Sequence, residues 1–532
     1  MIVEVPRPDT VGVGQLDGRP WAGWVAAIVP CLASCVASVL WSTGSTDRAA
    51  QGLRVAVFEQ VGFSPWSNQW FGGHHLAGYG LFVQALSSWV GSTLVAVTAA
   101  VLTSVAFWLI VQRCALQQVF TGSPLGAVVW FSLSASSSVW AGRTPFCVGF
   151  AAATWAVFAA CSHRRVAACA LAATAGLASP VCAVFVCVAA VGWLGHDRER
   201  LRTGVALLAG ALVPLASGAL LFPERGRYPF PVGSFCNVVA STVVVLLVVR
   251  AHERLVRVAA AYLALTIMLF VIPNPVGSIV ERLGSLVAGP IVLLFWRPRL
   301  PLVVAIVGLV TAWQVRPLSF AWSDAHPSYE AAFFRPVEAF LGTQPGVFRV
   351  EAVPLRSHAE SDFLARSVPL ARGWAGHVDR DLNGLFFDDT LNAATYEAWL
   401  IDEGVAYVAL ADAPIDTTGL QEAALVRGGL PYLNEVWSNA DWVIYAVRPR
   451  PAMADPGLDV VGVTADEVHL VAAAAGSYEL KVRFSPWFVV DGAACVAASE
   501  DGWTTVNVAE AGELTVRAAW SWRAIVDRDG SC

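Results

Sequence analysis

Long runs of residues without charge recur along this chain too often for a fold that lives in water. Trp21 to Ser42 is uncharged for 22 residues, and a helix of that length crosses a hydrocarbon core about 30 Å thick. That length argues for a retained anchor over a cleaved signal peptide. Comparable runs follow at Ser92 to Gln112, Leu125 to Gly142, Phe146 to Ser162, Val166 to Leu194 and Thr203 to Phe222. Val232 to Val249, Leu255 to Ile272, Val276 to Trp296 and Leu300 to Val315 complete the set. Val166 to Leu194 is too long for one crossing and holds Ser179-Pro180 at its middle, where proline removes a helix donor. It reads as two short helices meeting at an outer turn, which brings the total to about eleven crossings. Across the chain 56% of residues are hydrophobic and 14% charged, where a soluble domain carries about 25% charge.

Arginine placement orients these runs. With the N-terminus inside, the inner face receives Arg113, Arg164, Arg165, Arg198, Arg200, Arg202, Arg250, Arg254, Arg257, Arg297 and Arg299. The outer face receives the smaller set Arg48, Arg54, Arg143, Arg225, Arg227 and Arg282, as the positive-inside rule requires. An odd number of crossings then places everything after Val315 outside.

Charge thickens after about Ser323, so a water-soluble half follows the membrane half. VFRVEAV reads as a strand, and ATYEAWLIDEG followed by VAYVAL as helix, Gly404 stop and strand. LPYLNEVWSNADWVIYAV reads as a hairpin. Pro449, Pro451 and Pro456 mark a linker, after which short alternating runs punctuated by Asp491-Gly492 and Asp501-Gly502 suggest a small β-sandwich or jelly roll. The expected fold is therefore a polytopic α-helical membrane protein followed by an extracytoplasmic α/β segment and a small β-sandwich. Its parts are a cytoplasmic N-terminus (1–20), a membrane domain (21–317) with a long first outer loop (43–91), an α/β domain (318–450) and a β-domain (457–532). The net charge of -6 and the lack of a basic tract give nucleic acid no footing. Nine of the eleven cysteines lie in or beside apolar runs without a CxxC pair and read as packing residues. Cys495 and Cys532 lie in the exported half, where they either pair or leave the chain end frayed.

Ser64 to Gly91 (SPWSNQWFGGHHLAGYGLFVQALSSWVG) differs from both halves. It is long, aromatic and glycine-rich, and Asp47 and Glu59 lie just before it. Two readings stand: the floor of a site on the outer face, or an interfacial segment whose rings sit at headgroup depth. The spans themselves are nearly free of ionisable residues at mid-depth, which an ion-coupled transporter or flippase needs there. Charge gathers instead near the outer ends, at Arg143, at Glu224 with Arg225 and Arg227, and at Glu281 with Arg282. No nucleotide is expected outside the membrane, so a donor there arrives as a lipid-linked phosphate. An arginine such as Arg143 or Arg282 can hold it, while Glu59 or Asp47 acts as general base or metal ligand. The bland alternatives are a Glu281–Arg282 ion pair, an Arg143 snorkelling to headgroups, and an adjacent His74-His75 pair with no metal. Asp379 and Asp381 form a DxD, read as an acidic loop because nucleotide-sugar donors are cytosolic.

WFGGHHLAGYGLF (Trp70 to Phe82), AGRTPFCVG (Ala141 to Gly149), LASPV (Leu177 to Val181), VERL (Val280 to Leu283) and DEGVAYVAL (Asp402 to Leu410) carry a resemblance. The chain resembles the GT-C superfamily of polytopic membrane glycosyltransferases, and more closely a group of actinobacterial membrane proteins of unassigned activity. The resemblance implies sugar transfer from a polyprenyl-phosphate donor to a cell-envelope glycan acceptor at the cell membrane, with a catalytic acidic residue in the first outer loop. Carried onto this chain, that residue is Glu59 or Asp47. Arg143, Glu281 and Arg282 then bind the lipid-linked sugar, His74, His75 and Tyr79 line the acceptor side, and Trp487 and Trp503 stack on sugar or fill the β-domain core. No metal ligand set is assigned, and any cofactor, a divalent cation included, stays open. The alternative functions are a non-catalytic membrane protein of envelope assembly and, disfavoured by the empty mid-membrane, a transporter or flippase.

Overall fold

In the computed structural model, residues 20–41, 44–113, 120, 122–223, 226–295, 326–526, 528, 530 and 532 are described. The expected crossing Leu300 to Val315, Arg297, Arg299, Glu224, Arg225 and nearly all of the N-terminal segment lie outside the described residues. The first half is helical: α1 (Pro20–Trp41), α2 (Thr46–Val61), α3 (Val83–Val90), α4 (Ser92–Arg113), α5 (Pro124–Trp140) and α6 (Thr144–Cys161). Then come α7 (Arg165–Ala178), α8 (Pro180–Ala190), α9 (Arg198–Leu221), α10 (Val232–Val248), α11 (Glu253–Val271) and α12 (Glu281–Phe295). Among the described residues, 6 helices are long and apolar enough to cross a membrane: Trp21–Trp41, Ser92–Arg113, Thr144–Cys161, Arg198–Leu221, Glu253–Val271 and Gly277–Phe295. The rest of the helical half is shorter, α7 and α8 having 14 and 11 residues. They part at Ser179, whose extended backbone (φ -158, ψ 114) precedes Pro180, as proline demands of its predecessor.

Two devices let these apolar helices pack. Hydroxyls bond back into their own helices, as Thr103 does to the Ala99 carbonyl (2.8 Å) and Ser104 to that of Ala100 (3.0 Å), which satisfies these buried groups within an apolar surface. Glycines let backbones approach: a Cβ on Gly210 of α9 would lie 2.2 Å from the Cys169 carbonyl of α7. The helices also sort charge by end. Arg257 bonds the Leu194 carbonyl and Arg165 pairs with Glu199 at one end, whereas Arg143 and Arg282 meet Asp47 at the other.

The second half is β-rich. One four-stranded sheet runs in the order Arg349–Ala352, Val405–Ala411, Trp442–Val447, Leu433–Ser438, with the first pair parallel and the others antiparallel. The helix Ala393–Asp402, opened by a capping box of Asn392 and Thr395 and stopped at Gly404 (φ +65), feeds its central strand. Two antiparallel sheets follow, of four and three strands. Leu470, Leu514 and Val516 of the first and Leu480, Val482 and Val506 of the second share one buried cluster. Cys495 and Cys532 form a disulfide across a separation of 37. The DxD segment is a short helix, Gly376–Leu382, and not a loop, because Asp379 is buried against Arg372 (2.8 Å) and Asn383 (2.8 Å).

The loop between α2 and α3 threads between these units. Trp66–Ser67 pairs with His74–His75, Trp66 enters the β-domain cluster, and Trp70 enters the core of the α/β unit with its indole N–H on the Ser361 carbonyl (3.0 Å). Asn68 and Gly72 make backbone bonds to Ala465 (2.7 Å) and Arg483 (2.8 Å). The loop is thus a splice between the helical half and the β-rich half, which accounts for its aromatic and glycine content.

Candidate functional site

Asp47 stands in the first turn of α2, where a helix terminus favours a carboxylate. Its Oδ2 lies 2.6 Å from Arg143 Nε and 4.0 Å from Arg282 Nη2. Arg143 caps the tight α5–α6 turn, made possible by Gly142 at φ +70, whose bare Cα faces Arg48. Arg282 leaves the first turn of α12 with its guanidinium 5.3 Å from the Phe146 ring centre. A third donor comes from the β-rich half, the Trp374 indole N–H. Burial by itself raises the Asp47 carboxyl, but Arg143 and Arg282 outweigh burial and hold it below the usual carboxylate range.

Two phenols complete the surroundings. Arg54 donates to the Tyr79 carbonyl at 2.8 Å and lies 5.2 Å from its ring centre. Tyr228 is fixed by its N–H on the Asn274 carbonyl (2.9 Å) and by Gly277, where a Cβ would come within 2.3 Å of the Tyr228 carbonyl. Burial raises both phenols, so each stays a neutral donor. Beyond them opens a cleft between the two halves, lined by Tyr228 and Pro229 on one side and by His358, Trp374, Asp379 and Arg380 on the other. His358 stacks on Trp374 with ring centres 3.4 Å apart, and its nitrogens face Asp416 (3.4 Å) and Glu360 (3.7 Å).

Of the residues singled out in the sequence, the fold gathers Asp47, Tyr79, Arg143 and Arg282. Glu281 sits half-buried beside them, in the field of Tyr228. Glu59 is exposed on the far part of α2, about 18 Å along the helix from Asp47. His74 and His75 are buried in the splice: His74 stacks on Trp70 (5.1 Å), and His75 contacts Ser485 Oγ (3.3 Å) and the Trp66 edge. Trp487 and Trp503 are 3% and 1% exposed, so neither offers a face to sugar. Trp487 instead packs on Phe222, and Trp503 lies under Arg483 at 3.5 Å. Tyr228, His358 and Trp374 gave no signal in the sequence, since only folding brings them to a residue some hundreds of positions earlier.

Among the described residues no group of three or more His, Cys, Asp or Glu side chains is placed to hold a metal ion. One carboxylate between two guanidiniums does not suit a divalent cation, because the arginines already neutralise it and repel a second positive charge. The arrangement suits an anion with hydroxyl-bearing neighbours: two cations to one carboxylate leave a surplus positive charge beside neutral phenols and an indole. Among known proteins, no family model and no curated relative matches the chain.

Proposed function

We propose that the protein is a GT-C-type glycosyltransferase that moves a sugar from a polyprenyl-phosphate donor to a cell-envelope acceptor on the outer face of the membrane. In this reading about eleven crossings put α2 and the site outside, with the C-terminal sheets a small sandwich above them. The sorting of arginines between the two helix ends and the Cys495–Cys532 disulfide, a bond of oxidising compartments, support that topology. The observation that carries the function is Asp47 held by Arg143 and Arg282, with Trp374 of the cleft wall donating to it. The donor phosphate engages the guanidiniums and draws them from Asp47, which restores basicity to the freed carboxylate. The acceptor hydroxyl then attacks the anomeric carbon and loses its proton to Asp47. The bond from anomeric carbon to phosphate oxygen breaks, and the leaving phosphate keeps the electron pair, stabilised by Arg143 and Arg282.

The same clamp favours one other reading. A carboxylate already consumed by two arginines and an indole can simply hold the two halves together, as in a non-catalytic envelope-assembly protein. Reconstitution with radiolabelled polyprenyl-phosphate sugars and envelope glycan acceptors separates the two. Transfer that falls by roughly 10²–10⁴ in Asp47→Asn, with Glu59→Gln near wild type, supports the transferase. A chain that turns over no lipid-linked sugar, in cells that tolerate Asp47→Asn, is a scaffold.

A further inference from the structure

The last strand of the β-domain, Gly512–Ala518, leads into a segment whose large apolar side chains face outward. Trp520, Trp522, Ile525 and Val526 are 48%, 72%, 51% and 77% exposed. Four such residues within seven positions are unusual for a surface that meets only water. They are not a loose end. The Cys495–Cys532 disulfide and the bridge from Ala497 to Gly530 return the chain to the sheet, so the segment is a closed strap.

The strap's position identifies what it meets. Ala524 packs in a small cluster with Phe222 and Trp487 at the C-terminal end of α9. Trp487 donates to the Leu221 carbonyl at 3.2 Å, Arg528 bonds the Leu220 carbonyl, and the Trp520 ring meets Phe222 edge-on at 5.8 Å. Here α9 is one of the helices able to cross a membrane, and its own flank is bare where lipid would lie: Leu212, Val213 and Leu220 are 51%, 67% and 62% exposed. The strap therefore abuts the end of α9's exposed apolar flank. Trp520 also reaches across to the Phe63 carbonyl (2.6 Å), and Phe63 is itself 51% exposed.

We infer that the strap Ala519–Val526 is a membrane-docking surface, its Trp520, Trp522, Ile525 and Val526 side chains lying in the headgroup and upper acyl region of the leaflet at the end of α9. Indole rings suit that depth, being apolar in the body with one polar edge. Docking fixes the β-domain to the bilayer at a second place besides its contacts with the helices, and it does so whatever reaction the protein performs.

The test uses the full chain in lipid nanodiscs, with a benzophenone amino acid at position 522 or 526 and, as control, at Glu510. Glu510 is exposed in the turn at the opposite end of the strand Gly512–Ala518, roughly 20 Å away along it. After irradiation, mass spectrometry of the peptides reads what each probe touched. Lipid adducts at 522 and 526, at least tenfold above those at 510, are expected. Adducts at or below the level at 510, or adducts mainly to a second copy of the chain, overturn the inference. Both positions are exposed, and an intact Cys495–Cys532 disulfide verifies that each variant is folded.

Discussion

His358 holds a left-handed backbone conformation (φ 52) that a side-chain-bearing residue adopts only under constraint. The constraint is visible: its ring is buried between Trp374 and the carboxylates of Asp416 and Glu360. Burial disfavours its charge, but the bonds to Asp416 and Glu360 more than reverse this and hold its pKa up at about 9. The sign follows from linkage. An unfolded histidine titrates near 6.5, so the stabilisation is complete below about pH 6.5 and is lost as pH rises through about 9. Replacing it in His358→Gln should cost about 1–3 kcal/mol at neutral pH. In thermal unfolding of the reconstituted protein the gap between variant and wild type should close by pH 10. An equal gap at pH 7 and pH 10 refutes the charged stack. In the same unit Glu351, wholly buried and facing Glu422, is pushed well above the carboxylate range by burial and then by that neighbour.

At the scale of elements, the helices are held by close approach. Lipid offers no hydrophobic gain for helix association, so van der Waals contact between small residues carries it. Gly210 against Cys169 and Gly176 against Pro214 place α7 and α9 face to face, with a Cβ at Gly176 only 2.5 Å from the proline ring. Gly210→Val forces the α9 backbone away from the Cys169 carbonyl, where no flexible side chain can yield. A loss of about 2–4 kcal/mol is expected, read as a lower unfolding temperature in detergent. Gly218, on the same helix with nothing within 4 Å of its Cβ, should accept Ala at little cost.

At the scale of the molecule, the α/β unit and the β-domain are joined by buried charge. Arg349, 1% exposed, donates to the Glu403 and Lys481 carbonyls, and the Glu403 carboxylate takes Arg483 at 2.5 Å. That network spans the α/β unit and the β-domain, with the splice loop beneath it at Gly72, whose Cβ would meet Trp503 at 2.8 Å. The β-domain has a further clamp of its own. Closing its chain through Cys495–Cys532 is worth roughly 3–4 kcal/mol on the chain-entropy account. Cys532→Ser should therefore lower the temperature at which this unit becomes protease-sensitive, while leaving the α/β unit's onset unchanged. Simultaneous loss in both would mean that they unfold as one.

The sequence alone determined what depends on short-range pattern. Uncharged runs marked the helices, Ser179-Pro180 marked the break between α7 and α8, and Gly404 and the alternation of VAYVAL marked the helix stop and central strand. Asp47, Arg143 and Arg282 were legible as candidates because charge is rare beside apolar spans and stands out there, and Tyr79 because it lies in the aromatic, glycine-rich loop. Only the tertiary structure places Asp47, and not Glu59, beside Arg143 and Arg282, since both lie on one helix and only one end meets the arginines. It also turned His74, His75, Trp487 and Trp503 from ligand-facing candidates into packing residues, and brought Trp374 and His358 to a carboxylate far away in the chain. Burial and long-range pairing arise from the whole packed chain, and no local window of residues encodes them.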